Sequence, residues 1–192
     1  MKKNILFIGP LGGPVTGQSL ITNALLNQLI KNYNVDTVDL AKKSLKQGIS
    51  SLNRLLNILL IFKKVFMSKK NSDIIYFTIS RSISGNLKDL LIYLILIKHL
   101  DKIVIHLHGD GLKDFVFKRH PLLFKINKYF LSQFGGAIVL SESLAYNFHE
   151  IISHKKIFII PNFVDKNLFI NKNQIHKKFS NFKKIKILYL SN

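Results

Sequence analysis

The segment Lys102-Ile103-Val104-Ile105-His106-Leu107-His108-Gly109-Asp110-Gly111 decides the fold, because a short apolar run ends directly in histidine, glycine and aspartate. Apolar runs of this length, rich in β-branched residues, are typical of strands that a parallel sheet buries on both faces. Five further runs of this kind occur along the chain, so the sequence predicts six strands: 4–8, 35–40, 73–78, 102–107, 136–140 and 157–160.

Helical periodicity fills the gaps between these strands. The stretch 52–66 repeats leucines at spacings of three and four, and Phe66 continues the same face. After Gly17 the same periodicity predicts a helix with these residues on one face: Leu20, Ile21, Ala24, Leu25 and Ile30. Strands alternating with helices predict an α/β fold, a Rossmann-like doubly wound parallel sheet with helices on both faces. Ligands of such sheets bind at the carboxyl ends of the strands, so function is expected in the loops that follow them.

The length and composition of the chain are consistent with one substantial core and exclude sites that need cysteine. With 192 residues, the chain is short for two complete α/β domains. It contains no cysteine, which excludes disulfides, thiolate metal ligands and cysteine nucleophiles and fits a reducing, cytoplasmic compartment. The longest apolar stretch, 90–97, is far shorter than the roughly 20 residues of a membrane-spanning helix, and the N-terminal run 5–8 is too short for a signal peptide.

A strong excess of basic residues points to anionic partners. The formal net charge is +19, from 29 lysines and arginines against 10 acidic residues, and no acid occurs between Asp39 and Asp73 or after Asp165. Such fields attract lipid headgroups, nucleic acid or phosphorylated substrates, although an AT-rich coding sequence would raise the lysine content without any ligand. The sequence has no RNP-like, helix-turn-helix or zinc-finger pattern, so no nucleic-acid partner is expected.

The basic, leucine-rich segment 42–70 has two interpretations. A helix with apolar and basic faces can lie on anionic lipid, so the segment predicts contact with an anionic membrane surface. The alternative is a solvated helix that packs on the sheet. Both interpretations remain open at the level of the sequence.

The loop 9–18 lies between the first strand and the first helix, where free backbone amides and the helix dipole favour anions. Its glycines allow a ligand to approach the main chain, but their spacing matches neither the dinucleotide fingerprint nor a P-loop. No NAD, NTP or other cofactor is therefore expected. The alternative is a turn that needs a positive φ at Gly12 or Gly13.

Two histidines end the fourth strand. His106 and His108 share one face because side chains alternate along a strand, and His108 stands nearest the crevice, where a sugar hydroxyl or phosphate could meet its imidazole. The alternative for either residue is a structural histidine bonded to the backbone. With Asp110 the pair also suggests a metal site, but no convincing further ligand follows, so no metal is expected.

Two other loops contain candidate polar residues. Arginine is scarce, and Arg81 directly follows a strand, where its planar fork suits phosphate; the alternative is a solvated loop arginine. Ser141 and Ser143 follow the fifth strand, but the nucleophile elbow of serine hydrolases is missing. Ser141 is instead expected to cap a helix over 142–152.

Four segments, in this order, carry a resemblance to a known family: ILFIGPLGGPVTGQS, VIHLHGDG, GAIVLSESLAYNF and IFIIPNFVDKNLF. The chain resembles the retaining glycosyltransferases of the GT-B fold, family four, over essentially its whole length. The resemblance implies two facing Rossmann-like domains, of which the first takes the acceptor and the second most of the sugar nucleotide. It implies an acceptor-side domain over 1–170. The polar, lysine-rich stretch 171–184 is typical of a linker, and 185–192 is predicted to be a strand. That strand either opens a donor-binding domain that the chain lacks or, as the alternative, pairs at the edge of the first sheet.

The resemblance also assigns site residues. The histidine after the fourth strand typically contacts the transferred sugar, so His108 is the candidate catalytic residue. The glycine-rich loop lines the cleft near donor phosphate and acceptor, and the neighbouring loops complete the substrate-binding candidates: Gly12, Gly13, Gly17, Arg81, Gly109 and Asp110.

The implied function is transfer of a sugar from a nucleotide-sugar to a polysaccharide or lipid-linked acceptor of the cell envelope. Without a donor domain, the chain alone is expected to be inactive, and a nucleotide-sugar binds only if a second domain or chain supplies that half. The alternative is a non-catalytic half-enzyme or scaffold that recruits a donor-binding partner to the membrane. Either way, the chain is expected in the cytoplasm, peripheral on the inner face of the cytoplasmic membrane.

Overall fold

The structure, a computed structural model, describes residues 2–13, 15–41, 51–162 and 172–180, without the side chains of 51–55 and 178. The chain divides into two compact units, Met1–Asn162 and Phe163–Asn192. In the second unit the described part is one helix, Lys172–Phe179, which falls within the predicted linker 171–184. The strand expected over 185–192, and Asp165 of the fourth resemblance segment, lie outside the described residues.

All six predicted strands are confirmed, with ends that differ by one residue at most. They form one parallel sheet in the order β2-β1-β3-β4-β5-β6. The strand order reverses between β1 and β3, so their carboxyl ends flank the crevice that a doubly wound sheet offers to ligands. The strands are β1 (Asn4–Gly9), β2 (Asn34–Asp39), β3 (Ile74–Thr78), β4 (Ile103–Leu107), β5 (Gly136–Val139) and β6 (Ile157–Ile159).

Helices cover both faces of this sheet, as predicted. The β1-to-β2 connection runs in one direction and the later ones in the other, so right-handed crossovers place α1 on one face and α2 to α5 on the opposite face. No described helix is long and apolar enough to cross a membrane. The helices are α1 (Gly17–Asn32), α2 (Ser51–Ser68), α3 (Ile83–Ile95), α4 (Pro121–Leu131), α5 (Glu142–Ala145) and, in the second unit, α6 (Lys172–Phe179).

The main core lies between the sheet and helices α2 to α4. Alternate strand residues such as Phe77 and Ile105 are fully buried there, together with Val65 of α2 and Tyr93 of α3. The Tyr93 ring meets the rings of Phe77 and Phe134 edge-on, with centroids 5.6 and 5.1 Å apart. Helix packing on this side therefore rests on large apolar side chains.

Helix α1 exists as predicted, but its expected packing face is partly wrong. Leu20 and Ile30 are 59% and 52% exposed, whereas Ser19 and Thr22 are buried. The helix crosses close above Gly9, where a Cβ atom would lie 3.0 Å from Thr22 Cγ2. Because the backbones approach so closely, small polar residues occupy the inner face and displace these two apolar ones.

A pair of buried amides joins α3 to α4. Asn86 and Asn127 exchange two hydrogen bonds of 2.9 Å, in which each side chain donates from Nδ2 to the Oδ1 of the other. Asn127 Nδ2 also donates to the Leu123 carbonyl at 2.8 Å. Both residues are buried, so their polar groups depend on each other rather than on water.

Replacement of one member of this pair tests the arrangement. We expect Asn127→Ala to lower the free energy of unfolding by about 2 kcal/mol, because it leaves the buried Asn86 amide without its partner. The double variant Asn86→Leu with Asn127→Leu serves as the control and is expected to cost less, since it leaves no unpaired amide. Urea unfolding followed by circular dichroism measures both, and a larger loss in the double variant would contradict the account.

Candidate functional site

The loops that follow β1, β3 and β4 meet at the carboxyl edge of the sheet, beside the point where the strand order reverses. The loop after β3 is held by Asp89 of α3, whose Oδ2 accepts a 2.7 Å hydrogen bond from the Ser80 amide. Burial raises the pKa of Asp89 to about 6. Ser82 precedes α3 as its N-cap, and its hydroxyl accepts a hydrogen bond from the Gly85 amide. The loop that carries Arg81 is thus fixed at both ends.

Asp39 holds the glycine loop. It ends β2 directly opposite Gly9, and its carboxylate accepts hydrogen bonds from the amides of Leu11, Gly12 and Ala41 at 2.9, 3.1 and 2.7 Å. A Cβ atom on Gly12 would lie 2.7 Å from Asp39 Oδ2, so this contact needs glycine there. Two loop amides that were candidates for binding an anion therefore already bind a carboxylate of the protein.

The other two loop glycines differ in what they require. Gly13 has a φ of 75°, so the expected turn with positive φ occurs there, whereas Gly12 has no positive φ. Gly17 is the first residue of α1, and a Cβ atom there would meet nothing within 4 Å. The turn and the Asp39 contact explain two of the three glycines, and Gly17 lies in open space at the helix start.

His106 and His108 lie on one face of β4, as the alternation predicted, and their rings stack with centroids 3.8 Å apart. His106 Nδ1 is 2.7 Å from Tyr76 Oη, so this histidine is bonded to a side chain and not, as expected of a structural histidine, to the backbone. Burial lowers the pKa of His106 to about 3, helped by the nearby His108. Burial and the Arg81 guanidinium lower the pKa of His108 to about 4. Both imidazoles are neutral near pH 7.

Four buried polar atoms on this face have no hydrogen-bond partner among the described residues: Thr22 Oγ1, Thr78 Oγ1, His106 Nε2 and His108 Nε2. Thr78 is the neighbour of His106 across the β3–β4 ladder. A Cβ atom on Gly9 would lie 3.0 Å from both Thr22 Cγ2 and Thr78 Oγ1. Buried polar atoms normally have a partner, so this face of α1, β3 and β4 carries donors and acceptors that no described residue satisfies.

The structure brings Arg81, Gly109 and Asp110 together. Arg81 Nη1 donates to the Asp110 carbonyl at 3.1 Å, and a Cβ atom on Gly109 would lie only 2.6 Å from that nitrogen. The Asp110 carboxylate accepts from the Gly111 amide at 2.7 Å and from Asn147 Nδ2 at 3.4 Å. Asp110 therefore shapes the turn after β4, while Arg81 lies across it near His108.

The helix expected over 142–152 is wrong in length. Helix α5 covers only Glu142–Ala145, and the hydroxyl of Ser141 pairs with that of Ser143 at 2.8 Å instead of capping the helix. The side chain of Asn147 donates to the Leu144 carbonyl and accepts from the Lys113 amide at 2.9 Å. Such side-chain bonds to the backbone compete with a continuing helix.

Sequence reasoning overlooked Asp39, Tyr76, Thr78 and Thr22. Asp39 and Thr78 each end a strand beside a recognised site strand, so the rule that directed attention to strand ends also applied to them. Thr22 had no signal, because the helical period marked its apolar neighbours instead. Within the described part of the chain, no group of three or more histidine, aspartate or glutamate side chains could hold a metal ion.

No protein-family model matches the chain, and no curated protein matches its sequence. The candidate site is therefore defined by its geometry. It consists of the glycine loop bound by Asp39, a stacked pair of neutral histidines and an arginine, all at the crevice. The resemblance to a glycosyltransferase family stays a prediction.

The role of Asp39 is open to a direct test. The variant Asp39→Asn replaces the carboxylate with an uncharged amide. The NH₂ group of that amide is a donor, so it cannot accept a hydrogen bond from a backbone N–H. A hydrogen bond to a charged group contributes about 1.5 kcal/mol, so we expect the Leu11 and Gly12 amides to exchange with deuterium about tenfold faster. Asp36→Asn, on the same strand, is the control. Unchanged exchange in Asp39→Asn would show that the loop does not depend on this carboxylate.

The lowered histidine pKa values predict a pH dependence of stability. Between about pH 6.5 and pH 4 the unfolded chain binds protons that the folded histidines do not, so these residues make stability fall as the pH falls. The raised pKa of Asp89 has the opposite effect on stability. The contribution of His106 is therefore obtained by comparing a His106 variant with the unmodified chain. From pH 6 to 5 we expect His106→Gln to lose about 1 kcal/mol less unfolding free energy than the unmodified chain. Equal losses in urea unfolding would contradict this.

Proposed function

We propose that the chain is the acceptor-side domain of a glycosyltransferase that transfers a sugar from a nucleotide-sugar to a polysaccharide or lipid-linked acceptor. The observation that carries this proposal is the neutral, half-buried His108, whose Nε2 has no partner in the described structure, at the crevice of a doubly wound sheet. Thr78 and His106 extend the unpaired polar atoms along the same face. A sugar hydroxyl is a suitable partner for the imidazole of the partly exposed His108, because it can both donate and accept, whereas Thr78 and His106 are themselves buried.

The charge states fit sugar transfer in a specific way. Transfer develops positive charge at the anomeric carbon and negative charge on the departing diphosphate, so catalysis requires stabilisation of both. A neutral His108 hydrogen-bonds a sugar hydroxyl without placing a second cation near the anomeric carbon. Arg81 supplies a permanent positive charge at the rim. His108 therefore orients sugar, and Arg81 faces the anionic part of a substrate.

Because Asp39 binds the glycine loop, the domain is better suited to bind the acceptor than to bind the donor phosphates. Asp39 takes the amides of Leu11 and Gly12 and adds a negative charge beneath the loop, which disfavours a diphosphate on those amides. In this proposal a second domain or a second polypeptide holds the nucleotide-sugar. A cell-envelope acceptor carried on lipid would bring the chain to the inner face of the cytoplasmic membrane.

A second candidate function is a non-catalytic scaffold that recruits a donor-binding partner to the membrane. The observation in its favour is the apolar outer surface of α2 and α3, which fits attachment to another surface independently of the crevice. In a scaffold, the crevice residues contribute nothing to sugar transfer. Substitution of His108 therefore separates the two functions.

The test uses cells whose own gene is deleted and replaced by the intact gene or by a variant. Their membranes are incubated with a panel of radiolabelled UDP- and GDP-sugars, and label is counted in the lipid extract and in polysaccharide. We expect His108→Ala to reduce incorporation about 10²-fold, as loss of one hydrogen bond that forms fully only in the transition state would. His149→Ala, at an exposed histidine whose ring lies against that of His154, should retain full incorporation.

Three outcomes distinguish the possibilities. Incorporation that requires the chain and depends on His108 supports the enzyme. Incorporation that requires the chain but is unchanged in His108→Ala supports the scaffold and overturns the catalytic assignment. Incorporation that continues at full level without the gene overturns both.

A further inference from the structure

Helices α2 and α3 pack side by side on the same face of the sheet and present apolar residues on both of their sides. Val65 of α2 and Tyr93 of α3 point inward and are buried in the core. The sides turned away from the sheet form what we call the α2–α3 outer surface, defined by six leucines: Leu56, Leu59, Leu60, Leu87, Leu91 and Leu94.

The six leucines follow helical spacing, so they form a continuous stripe on each helix. Leu87, Leu91 and Leu94 recur at intervals of four and three residues along α3, which places them on one side. Each of the six leucines exposes between 48% and 58% of its surface. Soluble proteins seldom expose a large apolar patch, and such a patch commonly marks a contact site. We therefore expect the α2–α3 outer surface to contact another molecule.

The charges around this surface indicate which partner. Lys63, Lys64 and Lys70 are exposed at the C-terminal end of α2, and Lys98 is exposed just after α3. The single acidic residue in the two helices is Asp89, which is fully buried beneath the Ser80 loop. Within the described side chains of both helices, the outer surface thus combines leucines with exposed lysines and no exposed carboxylate.

Lys69 connects the end of α2 to the end of α3. Its Nζ donates to the Ile95 carbonyl of α3 at 2.6 Å and lies 4.3 Å from the centre of the Phe66 ring. At about 1.5 Å per residue, α2 extends roughly 27 Å, which is long enough to lie flat across several lipid headgroups. The contact between the two helices therefore keeps their leucine stripes side by side.

We propose that the α2–α3 outer surface binds an anionic lipid bilayer, with its leucines in the boundary between headgroups and acyl chains and its lysines against lipid phosphates. Apolar residues bordered by basic ones are what interfacial helices require, since buried area supplies binding and lysines select negative lipid. A protein partner would satisfy the leucines but would not by itself explain the absence of exposed carboxylates. The inference deepens the proposed location at the membrane and does not depend on sugar transfer.

The purified full-length chain is sedimented with vesicles of phosphatidylcholine alone and with vesicles that contain phosphatidylglycerol as well. We expect at least about tenfold tighter binding to the anionic vesicles, because each lysine near the surface adds on the order of 1 kcal/mol. The double variant Leu60→Glu with Leu91→Glu should lose at least about tenfold in affinity, because it places charge where acyl chains would lie.

Leu20→Glu is the matched control, because Leu20 is 59% exposed on α1, on the opposite face of the sheet. It should bind anionic vesicles as the unmodified chain does, and circular dichroism confirms that each variant is folded. Equal binding to both kinds of vesicle would overturn the role of the lysines. Unchanged binding of the double variant would overturn the assignment of the surface.

Failure of the unmodified chain to bind either vesicle would overturn the lipid proposal. If the chain then still sediments with protease-sensitive components of native membranes, a protein partner occupies the surface instead. His108→Ala should bind vesicles normally, so loss of sugar incorporation in that variant with intact vesicle binding would concern the crevice alone. The double variant keeps the crevice residues unchanged, so loss of vesicle binding in that variant would concern the α2–α3 outer surface alone.

Discussion

The handedness of the crossovers between parallel strands is the constraint on which the rest of this structure depends. Because the strand order reverses between β1 and β3, right-handed connections carry α1 to one side of the sheet and α2 to the other. The reversal separates the connections that leave β1 and β3, which opens the crevice. Gly9, Thr78 and His106 gain their common location from this topology and not from any local preference of their own.

Much of the fold could be predicted from the sequence, because parallel strands buried on both faces leave a strong signal. The six apolar runs gave strand boundaries within one residue, and alternation alone placed His106 and His108 on one face. Predictions were wrong where a close approach or a competing hydrogen bond decided the outcome. The spacing of leucines along α1 did not reveal that Thr22 must pass above Gly9, and the Asn147 side chain ended a helix that periodicity would have continued.

The position of the candidate residues at strand ends was predictable, but their hydrogen bonds and charge states were less so. Strand ends identified His108, Arg81 and the glycine loop, and the structure gathers them at one edge. The sequence did not indicate that burial holds both imidazoles neutral, since burial depends on how the folded chain encloses the rings and brings Arg81 close to His108. It also gave no sign that Asp39 would take the loop amides, because a contact between residues 28 positions apart depends on strand register.

The bonds from Asp39 to the glycine loop also determine when the loop loses its conformational freedom. Because two backbone amides are tied to a neighbouring strand, the loss of chain entropy occurs during folding and is not repeated when a ligand arrives. A segment ordered in advance can discriminate between ligands by shape, and movement of Leu11 and Gly12 over a ligand would first break their bonds to Asp39. Exclusion of water from the crevice by these two residues would therefore compete with the stability of the folded chain.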